Sequence, residues 1–221
     1  MVHRREINGE TVVFGNQGDL WNNAQTWFDH DTGSVWSQVT GTALLGPLKG
    51  TSVELLSSEL SSWRDWREQF PDTMALATET SRNTFRIENL TVVAQVNGEV
   101  AGIEFGDLRD RESISIELGG EPVIFIAEPN FDRWAVFSRT VQGEVREIEI
   151  RNGLLTDINN GDTWAPSTGA SFNGFGVLDR IPTFSSNFAD FVNIFPEGRV
   201  LVQPAVVRQI TPGSGSYINV G

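Results

Sequence analysis

Two-residue turns that end in glycine divide this chain into hairpins. Asn8-Gly9, Asn97-Gly98, Gly119-Gly120 and Gln142-Gly143 each stand between runs of alternating apolar and polar residues. A pair of this kind takes left-handed backbone easily, and the type I′ turn it makes joins antiparallel strands. The runs beside the turns are therefore expected to be strands: His3 to Phe14 around the first, and Thr91–Val96 with Glu99–Phe105 around the second. Ser113–Leu118 with Pro122–Ala127 flank the third, and Trp134–Val141 with Val145–Ile150 the fourth. Between them, Gly15 to Gly18 reads as loop and Leu20 to Phe28 as one extended run. Asp29 to Ser34 reads as a tight turn, Asp29 favouring its start and Gly33 supplying positive φ. Val35 to Val39 then returns as a strand. The Gly-, Ser- and Asn-rich stretch 161–176 reads as loop, Val200 to Ile210 as extended, and the Gly-Ser-Gly tail as frayed.

Two short helices interrupt this pattern. In Ser62-Trp-Arg-Asp-Trp-Arg-Glu-Gln-Phe-Pro71, Ser62 caps the free N–H groups, an acid follows at Asp65, and Pro71 ends the helix. Trp63, Trp66 and Phe70 share one face and are expected to anchor it in the core. Asn187 to Phe195, stopped by Pro196, repeats the design. Trp63 matches Phe188, Asp65 matches Asp190, Trp66 matches Phe191, Phe70 matches Phe195 and Leu76 matches Leu201. Arg5-Glu-Ile-Asn-Gly-Glu10 likewise matches Arg139-Thr-Val-Gln-Gly-Glu144. We read a duplication: residues 1–80 as a first repeat unit truncated at its N-terminus, 81–221 as a second, and the two fused in one compact domain. The expected fold is mainly β, a β-rich α+β class. Two related antiparallel units, each ending in a short helix, would pack as a sandwich or barrel-like domain. The hairpins between Thr91 and Ala127 have no counterpart ahead of Met1. An open sheet edge is expected there, and with it a homodimer paired through that edge.

Composition narrows the chemistry. The net charge is −13 and Lys49 is the single lysine, so nucleic acid is a poor partner. No apolar run reaches the roughly 20 residues of a bilayer span, and Met1 to Glu6 has no hydrophobic leader, so no signal peptide is expected. The chain has no cysteine and two histidines, His3 and His30. That excludes disulfides, thiolate catalysis and zinc–thiolate sites.

Asp29-His-Asp-Thr-Gly-Ser-Val-Trp-Ser-Gln-Val-Thr-Gly41, Leu45-Gly-Pro-Leu-Lys-Gly50, Ser62-Trp63, Trp66 and Phe70-Pro-Asp72 together resemble a bacterial and archaeal family of unknown function, the DUF3179 domain. The resemblance covers most of Arg4 to Leu76. It is weaker in the second half, where it rests on Val96–Glu99, Gly119–Pro122 and Arg139. Family members are usually longer, and the resemblance implies a secreted or lipid-anchored, extracytoplasmic setting. It also implies a Cys-Pro-Leu-Cys-like motif, sometimes with selenocysteine, ahead of the strand that Met1 to Arg5 would form. Such a motif suggests thiol redox or soft-metal work. At the matching place in the second unit stand Glu128, Pro129, Asn130 and Phe131, a degenerate version without sulfur.

Several constellations remain. Asp29-x-Asp31-x-Gly33 and Asp157-x-Asn159-x-Gly161 look like halves of a calcium loop, but glycine stands where the third ligand belongs, so no metal or other cofactor is expected. His30 between two aspartates suits a general base. Trp21, Trp27 and Trp36 near this turn suit stacking on a flat ligand, against the alternative of core packing. The candidate ligand-binding residues are Trp21, Asp29, His30, Asp31 and Trp36; no catalytic residue is assigned. The leading expectation is a non-catalytic binding or assembly module for an unknown ligand or protein partner. The alternatives are a hydrolase using acids around Asp29–Asp31 and a fragment of a thiol-redox protein.

Overall fold

The computed structural model describes residues 1–74, 86–202 and 206–209. Leu76, and with it the Leu76–Leu201 match, lies outside the described residues, as does the C-terminal tail. The turns form where the glycines stand. Asn8 and Gly9 have φ of 53° and 83°, Asn97 and Gly98 47° and 87°, and Gln142 and Gly143 53° and 81°. This left-handed backbone matches the twist of paired strands.

The first half comprises β1 (Val2–His3), β2 (Glu6–Ile7), β3 (Glu10–Thr11), β4 (Phe14–Trp21), β5 (Ala24–Asp29), β6 (Val35–Ser37), β7 (Ala43–Leu45), β8 (Leu55–Leu56) and α1 (Trp63–Gln69). Strands β4 to β7 make a four-stranded antiparallel sheet in chain order, and β1 pairs with β8. Two expectations are corrected here. Gly15 to Gly18 is not loop but the middle of β4, because a Cβ at Gly15 would stand 2.5 Å from the Phe28 ring, so glycine lets the ring close over the strand. Leu20 to Phe28 is not one strand. Asn22 and Asn23, with φ of 49° and 66°, turn the chain between β4 and β5.

The second half comprises β9 (Leu90–Val96), β10 (Glu99–Glu104), α2 (Phe105–Arg111), β11 (Ser113–Leu118), β12 (Glu121–Ala127), β13 (Trp134–Ser138), β14 (Thr140–Val141) and β15 (Glu144–Val145). It continues with β16 (Ile148–Arg151), β17 (Leu154–Asp157), β18 (Thr163–Trp164), β19 (Thr183–Asn187), α3 (Phe188–Ile194), β20 (Arg199–Val202) and β21 (Val206–Gln209). The largest sheet has the order β19-β9-β10-β20-β21, with β20 parallel to β10 and the other pairs antiparallel. Strands β11-β12-β13 and β16-β17-β18 make two three-stranded sheets. The fold is mainly β with short helices, as expected. No sheet closes into a barrel among the described residues. Helix α2 was not foreseen: it is seven residues long, holds Gly106, and has no side-chain cap. Its Phe105 and Leu108 are buried in the main core with β9 to β13. The fourth hairpin breaks into short pieces, β13 to β16, and the extended stretch expected from Val200 onward holds β20 and β21 among the described residues.

Helix α3 fixes a second core on the same sheet. Its Phe191 is fully buried with Val93, Phe184 and Val200. A Cβ at Gly102 of β10 would stand 2.9 Å from Phe191 Cζ, so glycine there makes room for the ring.

Backbone hydrogen bonds recur between the halves. Arg4 N donates to Glu54 O and Ser138 N to Asp179 O, both at 2.8 Å. Val12 N to Arg5 O (2.9 Å) corresponds to Arg146 N to Arg139 O (2.8 Å), and Asp29 N to Ser34 O (3.1 Å) to Asp157 N to Asp162 O (2.9 Å). Gly41 N to Ser37 O (2.9 Å) corresponds to Gly169 N to Ala165 O (2.8 Å). Val53 N donates to Gly41 O, and Leu178 N to Gly169 O, both at 2.9 Å. Before the helices, Ser62 and Asn187 share φ, ψ of −67°, 150° and −69°, 152°.

Gly41 and Gly169 hold equivalent tight places: φ is positive at both, and a Cβ would meet Val53 O at 2.9 Å or Leu178 O at 2.6 Å. Gly41→Ala and Gly169→Ala should each cost about 2 kcal/mol in denaturant unfolding. Gly9→Ala, with positive φ but nothing within 4 Å, should cost about 1 kcal/mol.

Candidate functional site

The Asp29 turn is the first place to look. Asp29 ends β5 and is fully buried. Its Oδ1 accepts from Thr32 N at 2.6 Å, and its Oδ2 accepts from Thr32 Oγ1 and Trp36 Nε1, both at 2.9 Å. Burial pushes its carboxyl upward, but hydrogen bonds from Trp36 and Thr32 outweigh it, and the pKa ends below the ordinary carboxylate value. Trp36 is fully buried and its indole N–H is committed to Asp29, so it shows no ring face to solvent. His30 is exposed and lies against Phe28, centroid to centroid 4.9 Å. Asp31 is exposed. Trp21 is elsewhere, packed in the cluster around α3. The structure thus brings Asp29 and Trp36 together and leaves Trp21 apart.

Both half calcium loops are closed as turns. Gly33 N donates to Asp29 O at 3.0 Å and Gly161 N to Asp157 O at 2.9 Å. Asp157 Oδ1 accepts from Asn159 N at 2.9 Å. No group of three His, Asp or Glu side chains is arranged to hold a metal among the described residues.

The second place is the loop between β12 and β13, which carries Glu128, Pro129, Asn130 and Phe131. Asn130 takes positive φ, 68°, and Glu128 N donates to Arg133 O at 2.9 Å, which folds the loop back on itself. Arg133, two residues past the motif, fills the centre. Its side chain is 4% exposed. Its Nη1 donates to Glu59 Oε1 at 2.9 Å and to Gln69 Oε1 at 2.7 Å. Its Nε stands 2.8 Å from Glu128 Oε2 as an ion pair, and the guanidinium lies 4.4 Å from the centre of the Phe131 ring. Burial pushes the Glu128 carboxyl up, and nearby Glu59 adds to this while Arg133 and Arg180 oppose it. Asp132 N donates to Asp65 Oδ2 at 3.0 Å. The loop therefore grips α1 through Asp65 and Gln69.

This corrects the expectation for α1. Its buried residue is Asp65, while Trp63 and Phe70 are 47% and 43% exposed. Trp63 and Phe70 face outward while Trp66 is partly buried and donates Nε1 to Thr73 Oγ1 at 3.2 Å, because the loop holds the polar side of the helix. Arg133, Glu59 and Gln69 were not singled out from the sequence, and Asp65 was read only as a helix-start acid. They come from two distant regions, 59–69 and 133, and the one local signal was an arginine beside an acid-bearing loop.

Residues 1–87 match the family model described as a protein of unknown function, DUF3179. The first half is thus similar to that family. The match covers less than half of the chain and contains the Asp29 turn, Glu59 and α1. Glu128 to Arg133 lie outside it. No curated protein and no solved structure matches the chain.

Two predictions follow from these geometries. Arg133→Met should destabilise the chain by about 3–5 kcal/mol, because it leaves the partly buried Glu128 and Glu59 side by side without their counter-charge. Glu128→Gln should cost less, because Glu59 still pairs the guanidinium and burial already disfavours the charged form of Glu128; paired urea melts check the asymmetry. Asp29→Ala strands the buried indole N–H of Trp36 and should cost about 1–3 kcal/mol at neutral pH. Because the folded pKa of Asp29 is lowered, its contribution is full above the unfolded carboxylate range near about pH 4 and is lost as pH falls through the folded value. Melting temperatures taken toward acid should therefore fall more steeply for the wild type than for Asp29→Ala.

Proposed function

We propose that this chain is a non-catalytic binding or assembly module working in an extracytoplasmic setting. The observation that carries the reading is how Asp29 is used. Its two oxygens accept three hydrogen bonds, two from Thr32 in its own turn and one from Trp36 of β6, and its pKa lies below the ordinary value. A carboxylate acting as general acid or base at neutral pH works best with a raised pKa, and a nucleophilic one needs an oxygen left free beside its substrate; the Asp29 carboxyl has neither. His30 and Asp31 stand open to solvent beside it. Such residues hold a turn in shape; they do not gather around a reacting atom. The exposed aromatic face of α1 supports a role in contact with another molecule.

The competing hydrolase reading is tested directly. A panel of p-nitrophenyl esters and glycosides should show no turnover above buffer, and His30→Ala should leave every rate unchanged. A hydrolysis rate that disappears in His30→Ala, with the melting temperature unmoved, overturns the proposal.

A further inference from the structure

An asparagine followed by glycine is a reactive pair as well as a turn. The glycine N–H can attack the asparagine side-chain carbon, because no Cβ stands in the way. A new N–C bond closes a succinimide ring, and the side-chain nitrogen leaves as ammonia. Water then opens the ring at either carbonyl. The product is aspartate, or isoaspartate with the backbone routed through the side chain. Solvent water is the one co-reactant, and nothing is oxidised or reduced. The chain holds such pairs at Asn8, Asn97, Asn152, Asn160 and Asn173, and all of these asparagines are exposed. Exposure therefore does not tell them apart. The freedom of the carboxamide to swing toward the next nitrogen does.

The carboxamides of Asn97, Asn160 and Asn173 are tied. Asn97 Nδ2 donates to Gly119 O at 2.8 Å. Asn160 Nδ2 donates to Asp162 Oδ2 at 2.8 Å, and its Oδ1 accepts from Asp162 N at 2.9 Å. There the attacking nitrogen is engaged too, since Gly161 N donates to Asp157 O at 2.9 Å. Asn173 Oδ1 accepts from Thr163 Oγ1 at 3.0 Å. The side chains of Asn8 and Asn152 make no hydrogen bond among the described residues, and the space over Gly9 and Gly153 is open to 4 Å.

We infer that Asn8 and Asn152 are the sites at which this chain deamidates while folded. They are not equal. Both asparagines have left-handed backbone, with φ of 53° and 51°, and ring closure needs a different conformation there, so the turn has to open first. Asn8 tops β2–β3, which pairs only Glu6↔Thr11 and Ile7↔Glu10. Asn152 tops β16–β17, which runs from Ile148↔Asp157 to Arg151↔Leu154 and has β18 alongside. The shorter ladder opens more readily, so Asn8 reacts ahead of Asn152. Each event replaces a neutral amide by a carboxylate in a chain whose net charge is already −13.

The experiment is timed incubation of the intact chain in mildly alkaline buffer, folded and in urea. Peptide mapping by mass spectrometry, with fragmentation that separates aspartate from isoaspartate, reads each site. In the folded chain Asn8 and Asn152 should convert about tenfold or more faster than Asn97, Asn160 and Asn173, because a tied carboxamide rarely reaches the attacking geometry. In urea, where the ties are gone, the rates should draw together. Thr163→Val removes the hydroxyl that holds Asn173 and should raise conversion there about tenfold in the folded chain, with Asn8 unchanged. Similar rates at all the pairs in the folded chain, or a tied asparagine converting first, overturn the inference. So does protection of Asn8 and Asn152 when folded beside ready conversion of every pair in urea, because the turn and not the tie would then govern. A Thr163→Val chain, folded by circular dichroism, in which Asn173 stays as slow as in the wild type overturns it too.

Discussion

One buried guanidinium joins the two halves of this molecule. Arg133 belongs to the second half, yet its partners Glu59 and Gln69 flank and end the first half's helix. A charge with 4% exposure is tolerable only when it is compensated: Glu59 and Gln69 accept hydrogen bonds from Nη1, Glu128 faces Nε as an ion pair, and the Phe131 ring lies against the guanidinium. The position of α1 follows from this. The helix is held by its polar side, so its aromatic side is left facing out.

The hairpins were legible in the sequence because a left-handed pair needs Gly or Asn, and few other residues stand there. The same logic was available for Asn22-Asn23 and was missed, since two asparagines without glycine are a weaker signal than Asn-Gly. Gly15 was misread for a related reason. Its glycine serves the approach of the Phe28 ring, a contact made by the next strand and invisible in local composition. Helix α2 is held by burial of Phe105 and Leu108 rather than by caps or period.

The candidate site was legible where it is local. Asp29 starts a turn in which Gly33 supplies positive φ, as the residue types demand. What that turn does with its carboxylate depended on Trp36 folding back over it, which spacing alone does not reveal. The α1 stripe teaches the converse lesson. Helical period identifies which residues share a face, but whether that face is covered depends on what stands opposite. In α3 a sheet stands opposite; for α1 the described residues supply a charged loop on the other side.

The β4–β5 hairpin reaches further than its counterpart β16–β17. From Val12 to Asp29 is 17 residues, against 11 from Arg146 to Asp157. The added length ends at Asn22 and Asn23, which donate to Asn193 O at 3.4 Å and Asp190 Oδ1 at 2.7 Å on α3. So the first half props the second half's helix, while the second half clamps the first half's. Loosening one half therefore removes contacts from the other half's helix, a buried ion pair and hydrogen bonds for α1 and two exposed hydrogen bonds for α3.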